Sequence, residues 1–188
     1  MKRILTALCF LLTLNTYSQC VGPQSSTITP AGPYSPGDIV TVNYTLSSFT
    51  QINVNWIHAF EINLGPGWMQ NTIVTSGNPG NPGGSMGGWF WDNQHTFPSG
   101  LNFGPGWRFI HAVVPNWGTN SVGPFNIQLS ITVKQTCTSD DLSVAITVYG
   151  DCQTGGWFNG ACCSDPAYNI YQGNVQVTPI ATSNISHY

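Results

Sequence analysis

The sequence predicts an all-β fold, an Ig-like antiparallel β-sandwich with long Gly/Pro-rich loops. Three observations carry that expectation. Short segments rich in Val, Ile, Thr and aromatic residues alternate apolar with polar side chains, the period of a half-buried strand. Turns drawn from 21 Gly and 13 Pro separate them. No window sustains a 3.6-residue apolar stripe, so nothing asks to be a helix. Several short strands at turn-punctuated spacing describe a sandwich rather than a parallel α/β sheet.

Taken in order, the chain opens with Lys2 and Arg3, the apolar run Ile4–Leu14 and a polar segment ending at Gln19. That pattern predicts a secretory signal peptide over 1–19 and a secreted or cell-surface product. An alternative is lipidation of Cys20, with Gln19 standing where a lipobox carries a small residue. The apolar run is shorter than the roughly 20 residues that span a bilayer. No later stretch is long enough, so the mature chain is expected not to insert into a membrane.

Residues 20–180 are expected to form one domain, and 181–188 a frayed tail. Ser25–Thr29 is a short first strand, and Pro36-Gly37-Asp38 a turn. Ile39–Leu46 is the cleanest strand, with Val40, Val42, Tyr44 and Leu46 on one face. Asn53–Trp68 organises the rest. Its alternation places Trp56, His58, Phe60, Ile62 and Leu64 on a buried face, with Ile57, Ala59, Glu61 and Asn63 opposite, before a Gly65-Pro66-Gly67-Trp68 corner. A weaker strand covers Thr72–Thr75. The Ser76–Gly88 loop is Gly/Pro/Asn-rich, with Met86 its one large apolar side chain, a composition typical of binding loops or disordered segments. It is expected to act as a flexible hinge presenting Trp89-Phe90-Trp91. Strands follow at Trp107–Val114, Phe125–Lys134 and Leu142–Tyr149, and Asn174–Pro179 closes the domain. Ile57-His58-Ala59 recurs as Ile110-His111-Ala112 and Gly-Pro-Gly-Trp occurs twice, which suggests two neighbouring strands of one sheet.

Charge narrows the partners. Without residues 1–19, only Arg108 and Lys134 remain against seven acids, a formal charge of minus five. Such a surface lacks the Lys/Arg footprint that phosphate backbones need, so no nucleic acid is expected. Polybasic membrane docking is excluded likewise.

Pro36-Gly37-Asp38, Trp56-Ile57-His58, Gly65-Pro66-Gly67-Trp68 and the segment Tyr149-Gly150-Asp151, Gly155-Gly156-Trp157, Cys162-Cys163, Asp165-Pro166 give the chain a family look. It resembles secreted domains common in Bacteroidetes, often found at the N-termini of larger surface or gliding-motility-associated proteins. The resemblance covers most of the mature chain and implies an extracellular β-sandwich; it brings no activity with it.

Five cysteines remain beyond residue 19. In a secreted chain they are expected to form disulfides. Two bridges would link Cys137 and Cys152 to Cys162 and Cys163 in either pairing, leaving Cys20 over. Zinc is disfavoured because the Cys-x-x-Cys spacing is missing. A histidine site from His58, His95 and His111 competes with ordinary core packing. Asp151 and Asp165 are the weak calcium candidates, against loop aspartates that cap turns. No cofactor is expected. Glu61 is the sole glutamate and sits alone on an otherwise neutral face, and no nucleophile elbow or zinc-protease motif occurs, so no enzyme is expected.

The aromatics remain. Trp68, Trp107 and Trp157 follow glycine-containing corners and are expected in or at the edge of the core. Trp89, Trp91 and Trp117, with Asn93, form the candidate ligand-binding set for a glycan or a surface protein; an exposed aromatic patch with a polar rim is a recognition surface. The expected function is a non-catalytic interaction or adhesion module. The alternatives are a structural spacer whose aromatics are all core and, more remotely, a metal-dependent enzyme.

Overall fold

The fold is described from a computed structural model, which covers residues 20–49, 55–97, 100, 102–135, 138–151, 153–154 and 167–177. The expected signal peptide, the tail 181–188, Trp157, Asp165, Cys137, Cys152, Cys162 and Cys163 lie outside the described residues. The described chain is all strand: β1 (Gln24–Thr29), β2 (Ile39–Leu46), β3 (Ile57–Leu64), β4 (Trp68–Thr75), β5 (Gly87–Asp92), β6 (His95–Thr96), β7 (Asn102–Phe103), β8 (Gly106–His111), β9 (Phe125–Val133), β10 (Val144–Gly150) and β11 (Tyr168–Tyr171). Two antiparallel sheets, ordered β1-β2-β9-β4 and β11-β10-β3-β8-β5, pack as a β-sandwich, with β6 and β7 as a separate hairpin.

Alternation builds the core. In β2, Val40, Val42, Tyr44 and Leu46 are buried, and in β9 so are Phe125, Ile127, Leu129, Ile131 and Val133. They meet Phe60 and Ile62 of β3, Phe109 of β8, and Val144, Ile146 and Val148 of β10. Each such side chain gains about 1.5–3 kcal/mol on burial. Trp68 is fully buried, and its indole N–H is shared between the carbonyls of Leu142 and Ser143. Gly65 and Gly67 allow this corner, because a Cβ at either would collide with the Asp141 backbone. The echo of Ile-His-Ala marks paired strands, as β3 and β8 are antiparallel neighbours with Phe60 opposite Trp107.

Several expectations need correction. Strand β3 carries one extra residue against β10, between the pairs Tyr149–Ala59 and Gly150–Ile57. This bulge breaks the period of two at His58, so Ile57 joins the core with Phe60 and Ile62. His58 is buried beside Phe97, which follows β6, and not in that row. The Ser76–Gly88 loop is no loose hinge: Ser76 and Pro79 bond the β9 backbone, and Ser85 and Pro82 are tied to Asn120 and Ser121. The last strand among the described residues is β11; of the expected closing segment Asn174–Pro179, Asn174 contributes an isolated bridge to Asp141, and residues 178–179 lie outside the described residues. Cys20, expected to be left over, is disulfide-bonded, to a partner outside the described residues.

Candidate functional site

At the end of the sandwich where β3 begins and β8 finishes, three rings meet. Trp56 and His111 centroids lie 6.1 Å apart, Trp56 and Trp117 5.8 Å, and His111 and Trp117 5.6 Å, all three side chains partly exposed. The turn after β8 makes the arrangement. The main-chain N–H groups of Val113 and Val114 both donate to Nδ1 of His111, at 3.1 and 3.2 Å, which leaves Nε2 as the proton-bearing nitrogen of the neutral ring.

The Trp117 segment is clamped from beneath. Its N–H donates to the Val114 carbonyl, and its own carbonyl accepts from the buried His58 imidazole. Gly118 donates to Oδ2 of Asp151 at 2.9 Å, and Thr119 pairs with Ile57. Asp151 Oδ1 gathers the N–H groups of Gln153 and Thr154 and the Thr154 hydroxyl, and Thr154 in turn accepts from Trp56 N–H. A buried carboxylate satisfied in this way is a rigid anchor. Both Asp151 oxygens are thus engaged by N–H and O–H donors, and its fellow calcium candidate Asp165 lies outside the described residues.

The sequence-predicted ligand set is not one surface. Trp89 is buried among Phe60, Phe109 and Phe125, with its indole N–H on the Gly80 carbonyl 2.8 Å away, and cannot serve a ligand. The cause is the polarity of β5: Trp89 and Trp91 face inward, and Phe90 points to solvent at 52% exposure. Trp91 is partly exposed, edge-on to Trp107, and donates to the Asn93 side chain at 3.1 Å. Gly87 pairs with His111, so Trp91 and Asn93 stand four and six residues further along, about 13–20 Å from the ring cluster. Only Trp117 belongs to that cluster. Sequence reading missed Trp56 and His111 as its companions because alternation assigned both to strand faces; the bulge at His58 carried no sequence signal.

The outer face of the five-stranded sheet carries most of the buried ionisable chemistry. Glu61 is not alone on a neutral face: its carboxylate accepts from Tyr149 Oη at 2.7 Å and from Gly104 N–H, while Arg108 and Asp92 form an ion pair at 2.7 Å nearby. The β6–β7 hairpin lies over this face, bringing Phe97 and Phe103 onto Tyr149 and Phe97 onto His58, with ring centroids 5.1 Å apart for the last pair. Burial, reinforced by the positive Arg108, pushes His58 down to about 3, and burial lowers His95 likewise. Burial and the Glu61 hydrogen bond raise the Tyr149 phenol. Nδ1 of His58 and Nε2 of His95 are buried without a hydrogen-bond partner. The carboxylates are engaged and His58 is held neutral, which suits a rigid support more than proton transfer. Among the described residues no three His, Cys, Asp or Glu side chains converge into a metal-binding group.

Two depressions lie elsewhere. One of about 710 Å³, lined by Pro66, Met69, Asn71 and Lys134, shares no residue with the ring cluster. The other, about 340 Å³, lies on the outer face of the four-stranded sheet. Comparison with family models, with curated proteins and with solved structures finds no match for this chain. Among the described residues no helix is long and apolar enough to cross a membrane.

Proposed function

We propose that this chain is a non-catalytic recognition module, exported after removal of residues 1–19, whose ligand is a glycan or a surface protein docked on Trp56, His111 and Trp117. The observation that supports this reading is the clamped ring cluster. Partly exposed aromatics fixed by hydrogen bonds below bind with little loss of side-chain freedom, and rigid aromatics are the usual anchors of recognition surfaces. A flat indole suits a sugar ring or an apolar side chain equally, and the acidic chain disfavours polyanions. The burial of Trp89 favours the second reading, a surface spacer whose aromatics mostly fill the core.

The test is binding to glycan arrays and to surface-protein extracts by the wild type and by Trp117→Ala, with thermal unfolding as the fold control. A loss of about tenfold or more in a variant that unfolds normally supports recognition through the cluster. Absence of any wild-type binding leaves the spacer reading. The Asp151→Asn variant sharpens the result, since a loosened platform should weaken binding while all three rings remain.

A further inference from the structure

We infer that a second site, separate from the ring cluster, lies on the outer face of the four-stranded sheet and takes an extended neutral polysaccharide chain. The register of β1, β2 and β9 lines up three transverse rows: Thr29, Thr41 and Ser130; Thr27, Asn43 and Gln128; Ser25, Thr45 and Asn126. All nine side chains point away from the core and none is ionisable. Strand and residue spacing make this array about 10 Å wide and about 14 Å long, the dimensions of a groove for several linked sugars rather than a single one.

The rows are internally ordered. Thr41 and Ser130 are 3.0 Å apart, Asn43 donates to Thr27 at 3.3 Å and accepts from Gln128 at 2.7 Å, and Thr45 donates to Asn126 at 2.9 Å. These bonds use one end of the Asn126 and Gln128 amides. Among the described residues, the Asn126 NH₂ and the Gln128 carbonyl oxygen have no hydrogen-bond partner, a donor and an acceptor about 7 Å apart along the strand. Beside them the chain after β4 builds a wall. Ser76 N–H bonds the Gln128 carbonyl, Asn126 N–H bonds the Pro79 carbonyl, and Pro79 is buried. Ser76 and Asn78 therefore stand over Asn126 and Gln128, closing the groove of about 340 Å³ on one side.

The chemistry selects the ligand class. Hydroxyls are donors and acceptors at once, and so are amides and hydroxyls of the groove, so each sugar hydroxyl finds a partner of either sense. Protein interfaces need an apolar, desolvated centre, and the groove rows are polar; the exposed Val74 stands beside Ser130, at the end of the array away from Asn126, and the exposed Ile39 lies just beyond that row. A face that served solubility alone would do so at least as well with Lys or Glu.

The experiment is affinity electrophoresis of the protein through gels containing hydroxyethylcellulose or laminarin, both neutral, or alginate, which is anionic. We expect retardation by a neutral polymer that persists at high salt. Asn126→Ala with Gln128→Ala should weaken it at least tenfold, and so should Asn126→Asp with Gln128→Glu, which keeps side-chain size. Both pairs are exposed and should unfold like the wild type. Trp117→Ala should leave this retardation in place, which separates the groove from the ring cluster. No retardation by either neutral polymer overturns the inference. So does retardation confined to alginate, or retardation that survives both groove variants.

Discussion

On the outer face of the four-stranded sheet the polar side chains are neutral and open to solvent; on that of the five-stranded sheet they include an ion pair, a hydrogen-bonded carboxylate and His58 packed against Phe97 of the β6–β7 hairpin. Both faces belong to strands of the same kind, so the difference lies in what each face must accommodate. A hydroxyl or amide can meet water or a neighbour at similar free energy. A half-buried carboxylate, guanidinium or imidazole needs fixed partners or must lose its charge. Sensitivity to pH should therefore sit on the covered face, and accessibility to a ligand on the open one.

The largest effect should come from His58. Its folded pKa is depressed to about 3, against about 6.5 in the unfolded chain. The folded state excludes a proton that the unfolded state binds, so this contribution to stability is complete above pH about 6.5 and is lost as pH falls toward 3. The slope rises from about 0.7 kcal/mol per pH unit at pH 6.5 toward a limit of about 1.4 near pH 5. Between pH about 5 and 6.5 ordinary carboxylates remain ionised, which isolates the histidine. Urea unfolding across that window should show the slope in the wild type. His58→Gln, which retains a donor for the Trp117 carbonyl, should flatten most of it, and the lowered His95 should account for a smaller remainder. An unchanged slope in His58→Gln would place the acid sensitivity elsewhere than under the hairpin.

A smaller effect belongs to Tyr149. Its hydroxyl donates to the Glu61 carboxylate beneath Phe97 and Phe103, and hydrogen bonds to charged groups contribute about 1.5–3 kcal/mol. Tyr149→Phe should lower stability at pH 7 by about 2 kcal/mol. The phenol is raised above the ordinary tyrosine value of about 10. Wild-type stability from this group is thus complete below pH about 10 and falls as pH rises further, a loss that Tyr149→Phe should not show. Denaturant midpoints at neutral and alkaline pH test both statements together.

The open face was far more legible in the sequence than the covered one. Ile39–Leu46 alternates without interruption, and β2 occupies those same bounds with its apolar row inward. The Gly65-Pro66-Gly67-Trp68 corner also gave away its buried indole, because a large apolar ring after a tight turn has few other places to go. The covered face depends on events that leave little local trace. The bulge at His58 switches the predicted row from that residue back toward Trp56, while Phe60 and Ile62 stay buried as alternation predicts, and the two-residue strands β6 and β7 are too short for any periodic signal. Trp89 misled for a related reason. A loop rich in Gly, Pro and Asn looks open, but cross-loop hydrogen bonds from Ser76, Asn81 and Ser121 hold it against the sandwich, with Trp89 turned inward. Likewise, Trp56, His111 and Trp117 are far apart in the chain, and only the pairing of β3 with β8 and the anchor of Asp151 bring them together.

The smallest expected effect is the most telling about the open face. Thr41 and Ser130 share a hydrogen bond of 3.0 Å that is only partly buried. Thr41→Val deletes it while keeping the β-branched shape that suits a strand. Water can reach the Ser130 hydroxyl, so the lost bond is replaced rather than left unmade, and stability should change by no more than about 0.5 kcal/mol. The asymmetry with Tyr149→Phe is the point. Equal costs at the two sites would mean that the neutral rows form a network the fold depends on. A negligible cost at Thr41 means that the rows are dispensable for folding, so that any binding lost on altering Asn126 and Gln128 reports on the groove itself and not on the sheet beneath it.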